Sequence, residues 1–392
     1  LIFETGELLP ATWIAFFDLV MLLLLVRATE TPSVPWALGA GIALGVSALF
    51  APTILPFGVV AAFCLWRARR GFALVGALVA GVVLVIAPVT LRNHRYGGEW
   101  VLVSTNGGIN LYIGNNENYP NTVAIRPGRH WTTLWGEPDR NGVALPGAAS
   151  SYFKRKALHF MAAHPFAEAG LLARKLYLYL NGSEIPRDTD LYGARAGSPV
   201  LRALVWPGPL HFPDGLMIPL ALVGSALSWR RRGELVAPLG FVLALAVVTA
   251  AFFVTSRHRV PALPVLAIFA AFGAAELFTR RSAVALGALA ALVVVLNLPT
   301  PEAKASYAAE VDFYRGLAYL HDGHDTAHAV QYLRQATAAD PNDERFWFEL
   351  GNTLETTGAY PEAIDAWGRS AALDPTDPRP GQRIEYWRSR LH

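Results

Sequence analysis

Cysteine is nearly absent: the 392-residue chain holds one, Cys64. That excludes a disulfide-stapled fold. Charge is scarce as well. Asp, Glu, Lys and Arg make up 16% of the residues, against about 25% in an average soluble protein. The net charge is only +3, too small to argue for a nucleic-acid partner. Familiar catalytic signatures are missing. There is no P-loop, no HExxH and no GxSxG, and His94, His130, His159 and His164 have no ligand spacing. No motif therefore predicts a metal or demands a cofactor, and a divalent cation is the one cofactor left open. No cleavable signal peptide is visible at the start.

What the chain has instead is apolar surface: 53% of residues are hydrophobic. Disorder is excluded, because so apolar a chain buries enough surface to offset its entropy. Mean hydropathy is +0.32, too apolar for an ordinary cytosolic enzyme and too polar for a chain wholly in lipid. The composition predicts a lipid-embedded part and an aqueous part.

The apolar residues come in eight blocks: Pro10–Val26, Val34–Phe50, Ala51–Trp66, Phe72–Leu91, Pro213–Ser228, Leu235–Val254, Val260–Phe278 and Ala283–Asn297. Each approaches the roughly 20 residues that cross a bilayer core. Arg27, Arg67, Arg69, Arg70, Arg230, Arg231, Arg232, Arg280 and Arg281 fall in alternate connections, and the opposite short connections hold Arg257 and Arg259. The positive-inside rule makes the first set cytoplasmic. The long loop and the C-terminal tail are then extracytoplasmic. Asp18 lies mid-span, where an ionisable group is functional or else protonated and paired with a neighbouring helix.

After Pro299-Thr300-Pro301 the composition turns soluble, and two segments align at an offset of 34 residues. Ala329 matches Ala363, and Asp340-Pro341 matches Asp374-Pro375. Trp347, Leu350, Gly351, Leu354, Ala363, Trp367 and Pro375 resemble the tetratricopeptide repeat, a helix–turn–helix unit of that period. Gly351 and Ala363 are expected to let two helices pack closely, with Trp347 and Trp367 between them. Residues from Asp377 onward suit a capping helix. Such a module, spanning residues 310–375, binds a protein partner or caps the last span.

The long loop reads as mixed α/β. Val101-Leu102-Val103 and Ile109–Ile113 read as short strands, joined by Ser104-Thr105-Asn106-Gly107-Gly108, a tight-hairpin signal. Such a turn presents backbone N–H groups to a sugar or phosphate, or is a plain hairpin. Tyr152–Ala163 and Pro165–Leu180 read as helices, the second at the membrane interface. Trp131, Trp135 and Trp206 suit aromatic anchors. Asn181-Gly182-Ser183 matches a glycosylation sequon. Arg257 and Arg259 can fork onto a lipid phosphate or snorkel to headgroups.

Together, Asn93 and the block Thr105-Asn106-Gly107-Gly108-Ile109-Asn110-Leu111-Tyr112-Ile113-Gly114-Asn115-Asn116 resemble bacterial glycosyltransferase family 39. These are relatives of the dolichyl-phosphate-mannose protein mannosyltransferases, within the polytopic C-type (GT-C) superfamily. Lys156-Ala157, His164-Pro165, Arg174-Lys175-Leu176, Glu184 and Phe252-Phe253-Val254-Thr255 with Arg257-His258-Arg259-Val260-Pro261 extend the likeness over residues 1–298. Departures are Leu9-Pro10-Ala11, where many members have Leu-Pro-Glu, and Ala51 before Pro52, where a basic residue is common.

The resemblance implies transfer of a sugar from a polyprenyl-phosphate donor in the membrane to an extracytoplasmic acceptor. An acidic first-loop residue would act as base, and cations would stabilise the leaving phosphate. That base is expected upstream of Leu1, so this stretch alone is expected to transfer no sugar. Arg257, His258 and Arg259 would hold the donor phosphate. Asn93, Asn106, Gly107, Gly108, Asn110, Tyr112, Gly114, Asn115 and Asn116 would line the outer cavity, with Lys175 and Glu184 as accessories. The expected fold is an α-helical polytopic membrane protein of about eight spans, a mixed α/β extracytoplasmic loop and an all-α tetratricopeptide tail. Its domains are 1–91 and 213–298 in the membrane, 92–212 outside and 299–392 as the repeats. The expected location is the bacterial inner membrane, and the expected partners are membrane lipid, a polyprenyl-phosphate sugar and a protein. The alternatives are a non-catalytic scaffold recruiting partners, or an O-antigen ligase or polymerase.

Overall fold

The computed structural model describes residues 10–68, 71–125, 128–187, 190–231, 233–280, 282–301, 307–323 and 325–391. Leu9, Arg69, Arg70, Arg232 and Arg281, used in the topology argument and the family comparison, lie outside them. All eight apolar blocks form helices. The first four give α1 (Ala11–Glu30), α2 (Val34–Phe50), α3 (Phe57–Trp66) and α4 (Gly71–Gly97). The loop carries α5 (Gly107–Gly114), α6 (Arg129–Trp135), α7 (Pro146–Ala163) and α8 (Pro165–Leu180). Then come α9 (Asp214–Leu227), α10 (Val236–Ala251), α11 (Leu263–Arg280) and α12 (Ala283–Leu296). The tail holds α13 (Ala308–His321), α14 (Thr326–Ala339), α15 (Glu344–Thr356), α16 (Tyr360–Leu373) and α17 (Pro378–Leu391). Among the described residues, 3 helices are long and apolar enough to cross a membrane: α1, α4 and Ser256–Arg280, which includes α11. The other five apolar helices are shorter.

The chain divides into two compact units. Residues 1–123, 141–186 and 194–304 make the first, and 124–140, 187–193 and 305–392 make the second.

In the first unit, helices that are apolar on every side meet through glycine. A Cβ on Gly41 of α2 would stand 2.1 Å from the Leu78 carbonyl oxygen, and one on Gly81 of α4 would stand 2.4 Å from that of Leu38. The pair α9 and α11 repeats the device, with Gly224 against Phe269 and Gly273 against Leu220. Small residues that bring backbones together are how helices associate where no hydrophobic drive separates protein from solvent. The outward side chains stay apolar: Trp13, Phe16 and Leu23 on α1, and Val83 and Leu84 on α4, are exposed. A helix apolar all round suits a membrane span. Asp18 is fully buried and accepts a hydrogen bond from Ser47 Oγ at 2.6 Å. It takes the helix-paired form.

The loop departs from the expected α/β mixture. Val101–Val103 forms no strand; Asn93 Nδ2 donates to the Val101 and Val103 carbonyls at 3.0 and 3.2 Å. Ile109–Ile113 is helical, within α5, because Ile109 and Ile113 are the buried pair. They lie four apart, on one helix face. The β-structure described here is a two-residue ladder, β1 (Trp206–Pro207) antiparallel to β2 (His211–Phe212). Trp206 rests on Phe212, ring centroids 4.7 Å apart.

In the second unit, α13–α14 and α15–α16 form the two helical hairpins of the repeat, and α17 follows where the cap was expected. Gly351 does admit Trp367: a Cβ there would meet the indole Nε1 at 2.5 Å. Trp367 is fully buried, whereas Trp347 is half-buried and donates its indole N–H to the Pro341 carbonyl. The buried aromatic of α15 is Phe346, in register with Leu350 and Leu354. Trp347 is one position, about 100°, off that face. In the first copy Gly316 meets Leu333 as Gly351 meets Trp367. Arg345 joins the copies, donating to Asp343 at 2.5 Å and Glu310 at 3.1 Å. Trp131 and Trp135 also belong to this unit, their rings tilted against each other with centroids 5.7 Å apart.

Candidate functional site

Two polar clusters gather the residues that the sequence singles out. The first is built on α5. Gly108 and Gly114 are glycine for packing: a Cβ on either would fall 1.8 Å from a carbonyl oxygen, of Ser150 and Phe252 respectively. The second contact seats the end of α5 on the end of α10. Asn115 secures it, donating through Nδ2 to the Ala251 carbonyl at 2.8 Å. Its Oδ1 accepts from Lys175 Nζ at 2.7 Å. Lys175 also donates to the Gly114 and Phe252 carbonyls at 3.1 and 3.2 Å. Asn116 is buried beside them and donates to Thr122 Oγ1 at 2.9 Å.

Lys175 is thus an internal clamp on three acceptors, not the surface group expected of an interfacial helix. On α8 it is Phe166 and Leu176 that face outward. One charged partner of Lys175 is Glu168, two turns earlier on α8. Both carboxylate oxygens of Glu168 are buried without a hydrogen-bond partner among the described residues. Burial raises the Glu168 pKa and Lys175 opposes the rise. Burial pushes the Lys175 ammonium down to about 8, against the pull of Glu168.

This clamp predicts a pH signature. Lys175→Ala removes one partner of a buried ionic cluster, a change that costs about 3–5 kcal/mol. The folded pKa of about 8 lies below the ordinary 10.5. Between those values the unfolded chain binds more protons, so stability attributable to Lys175 rises with pH across that window. Denaturant unfolding of wild type and variant at pH 7 and pH 10 checks it: the gap between them widens at pH 10. A constant gap removes the buried ammonium.

The second cluster surrounds Arg259, which is 1% exposed. Its guanidinium donates to the Asn181 carbonyl and, at 2.7 Å, to the Ser183 carbonyl. Asp214 and Glu184 lie 3.6 and 3.8 Å away. Around this centre Asn297 Oδ1 accepts the His211 backbone N–H at 2.8 Å, and Ser183 Oγ lies 3.2 Å from His211 Nε2. Burial lowers the His211 pKa, the hydrogen bond to Asn297 Oδ1 opposes the fall, and the nearby Arg259 charge adds to it. Asn181 is buried, its amide donating to Tyr177 Oη and the Leu298 carbonyl. The sequon is therefore inaccessible in the fold.

Arg259 and Glu184 are brought together, as are Gly114, Asn115 and Lys175. Asn93 stands apart, stapling 101–103. Asn106 and Gly107 are exposed; Asn110 and Tyr112 are half-buried. Lys156 Nζ sits 4.6 Å over the Tyr112 ring. Arg257 and His258 are half-buried, with His258 Nδ1 3.2 Å from Thr255 Oγ1. Sequence reasoning missed Glu168, His211, Asp214 and Asn297. Asp214 and Asn297 did carry a local signal, since each is a polar residue at the end of an apolar block. Among the described residues, no group of three or more His, Cys, Asp and Glu side chains could hold a metal ion, so no role is built on a divalent cation.

Comparison with known proteins places one module. A tetratricopeptide-repeat family model matches residues 322–378. No curated protein and no solved structure matches the chain.

Proposed function

We propose that the chain is part of a membrane glycosyltransferase that takes a sugar from a polyprenyl-phosphate donor and passes it to an extracytoplasmic acceptor. The observation that carries this reading is the meeting of two distant segments. The Gly114-Asn115 end of the loop block is bonded to Ala251 and Phe252 through Asn115 and Lys175. Arg257 lies five residues further along the chain. Those are the two segments on which the family resemblance rests. In this reading Asn115, Asn116, Lys175, Glu184 and Arg259 are positioning residues, buried or half-buried within the two clusters. Arg257 is the group that meets the donor phosphate, with Asn106, Asn110 and Tyr112 toward the sugar. The eight helices are spans, and residues 92–212 and the tail lie outside.

The test is binding, not turnover. A short-chain polyprenyl-phosphate hexose is titrated against the full chain in detergent. Losing a charge-assisted phosphate contact of about 1.5–3 kcal/mol, Arg257→Ala is expected to weaken binding about tenfold or more. Unchanged affinity removes Arg257 from the site, and no binding by the wild type removes the donor.

The repeat match favours one second reading, a membrane scaffold whose tail recruits a protein. Such repeats commonly mediate protein–protein contacts. A scaffold would bind no donor lipid.

A further inference from the structure

The repeat module already holds a peptide, and that peptide comes from the same chain. Residues 124–140 belong to the compact unit that the repeats form. Their entry point is Gly128, at φ +129, where a Cβ would come within 3.0 Å of Glu344 Oε1. Glycine alone adopts that conformation without strain and lets the main chain come so near. The next N–H, that of Arg129, donates to the same carboxylate oxygen at 2.6 Å. The Arg129 guanidinium donates to the Leu373 carbonyl at 2.7 Å and stands 3.7 Å from Asp374. One arginine is thus held twice: its main chain by the start of α15, its side chain by the end of α16. Helix C-termini present unpaired carbonyls and negative potential, which suits a cation.

A cavity of about 530 Å3 continues from this point, with Phe348, Glu349 and Asp377 on its wall. The two arginines there are already matched. Arg345 pairs with Asp343 and Glu310, and Arg379 with Asp377. Glu344, Glu349 and Asp374 leave the wall acidic.

The contact is built to be displaced. The Arg129 side chain is 44% exposed, so a competing segment can reach the partners it holds. Tethering compensates, because a segment on the same chain meets the groove in an intramolecular step that dilution does not weaken.

We infer that this groove is a binding site for an arginine-bearing basic peptide, and that residues 128–135 occupy it in cis. A protein partner presenting such a segment displaces them. The inference does not depend on sugar transfer.

A fluorescent peptide of residues 124–140 is titrated against the full chain in detergent. Wild type is expected to bind it weakly, because the cis segment competes. Arg129→Ala in the chain releases that segment and tightens peptide binding at least tenfold. Adding Glu344→Ala and Asp374→Ala to that variant returns binding to the weak level, and a peptide carrying Arg129→Ala binds neither chain. Equal affinity for wild type and Arg129→Ala, or no binding to either, overturns the proposal. Hydrogen exchange gives a second reading. Glu344→Ala is expected to speed exchange of the 129–135 amides at least tenfold while α16 keeps its protection. Unchanged protection of 129–135 overturns the proposal as well.

Discussion

Arg259→Ala is expected to cost about 3–5 kcal/mol, the penalty for removing one partner from a buried charge cluster. The variant removes the guanidinium that stands beside Asp214 and Glu184, and the Asn181 and Ser183 carbonyls lose a donor. Lysine does not replace it, because a single ammonium lacks the planar fork that reaches several acceptors at once. Arg259→Lys is expected to recover less than half of the loss. Combining Arg259→Ala with Asp214→Asn and Glu184→Gln is expected to recover more, since less negative charge is then buried without the guanidinium. Denaturant unfolding in detergent measures all three. An Arg259 that only touched headgroups would cost less than about 1 kcal/mol, and that result would sink the buried-cluster account.

Gly41→Val should be comparably damaging by a different route. The new Cβ lands 2.1 Å from the main-chain oxygen of Leu78, and a backbone cannot rotate aside as a side chain does. Overpacking costs about 1–3 kcal/mol, and a clash with main chain belongs at the top of that range. Gly76 provides the internal control, because a Cβ there meets nothing within 4 Å. Gly76→Ala is expected to be stabilising by up to about 1 kcal/mol from helix propensity. The two substitutions therefore move unfolding midpoints in opposite directions. Equal midpoints would mean that α2 and α4 are not in backbone contact.

The parts legible from sequence are those whose signal is local and repeated. Eight apolar blocks became eight helices, and the 34-residue offset marked the repeat that the family comparison also finds at 322–378. The first copy is one residue longer than the second: Gly316 to Leu333 is one step longer than Gly351 to Trp367. The α5 segment was misread because Ile109, Leu111 and Ile113 alternate with polar residues, a strand pattern over five positions. Contacts from Ser150 and Phe252 decide it as a helix, and neither is near in sequence. The Arg259 cluster was hidden for the same reason. Asn181 and Leu298 are separated by 117 residues and His211 and Asn297 by 86. An arginine that looks like a phosphate ligand in a string of letters is, with those partners around it, a cross-brace.

The occupied repeat groove also constrains how the protein is made. Arg129 and Glu344 are 215 residues apart, so the ribosome finishes the guest long before it begins the host. The entropy of closing so long a loop grows only logarithmically with length, and the cost is modest once both ends share a compartment. If the apolar helices are threaded into a bilayer, that condition holds only when every intervening segment has been inserted and the tail delivered to the side that holds the loop. Docking of α6 then comes late in biogenesis, and its completion certifies that loop and tail have arrived together.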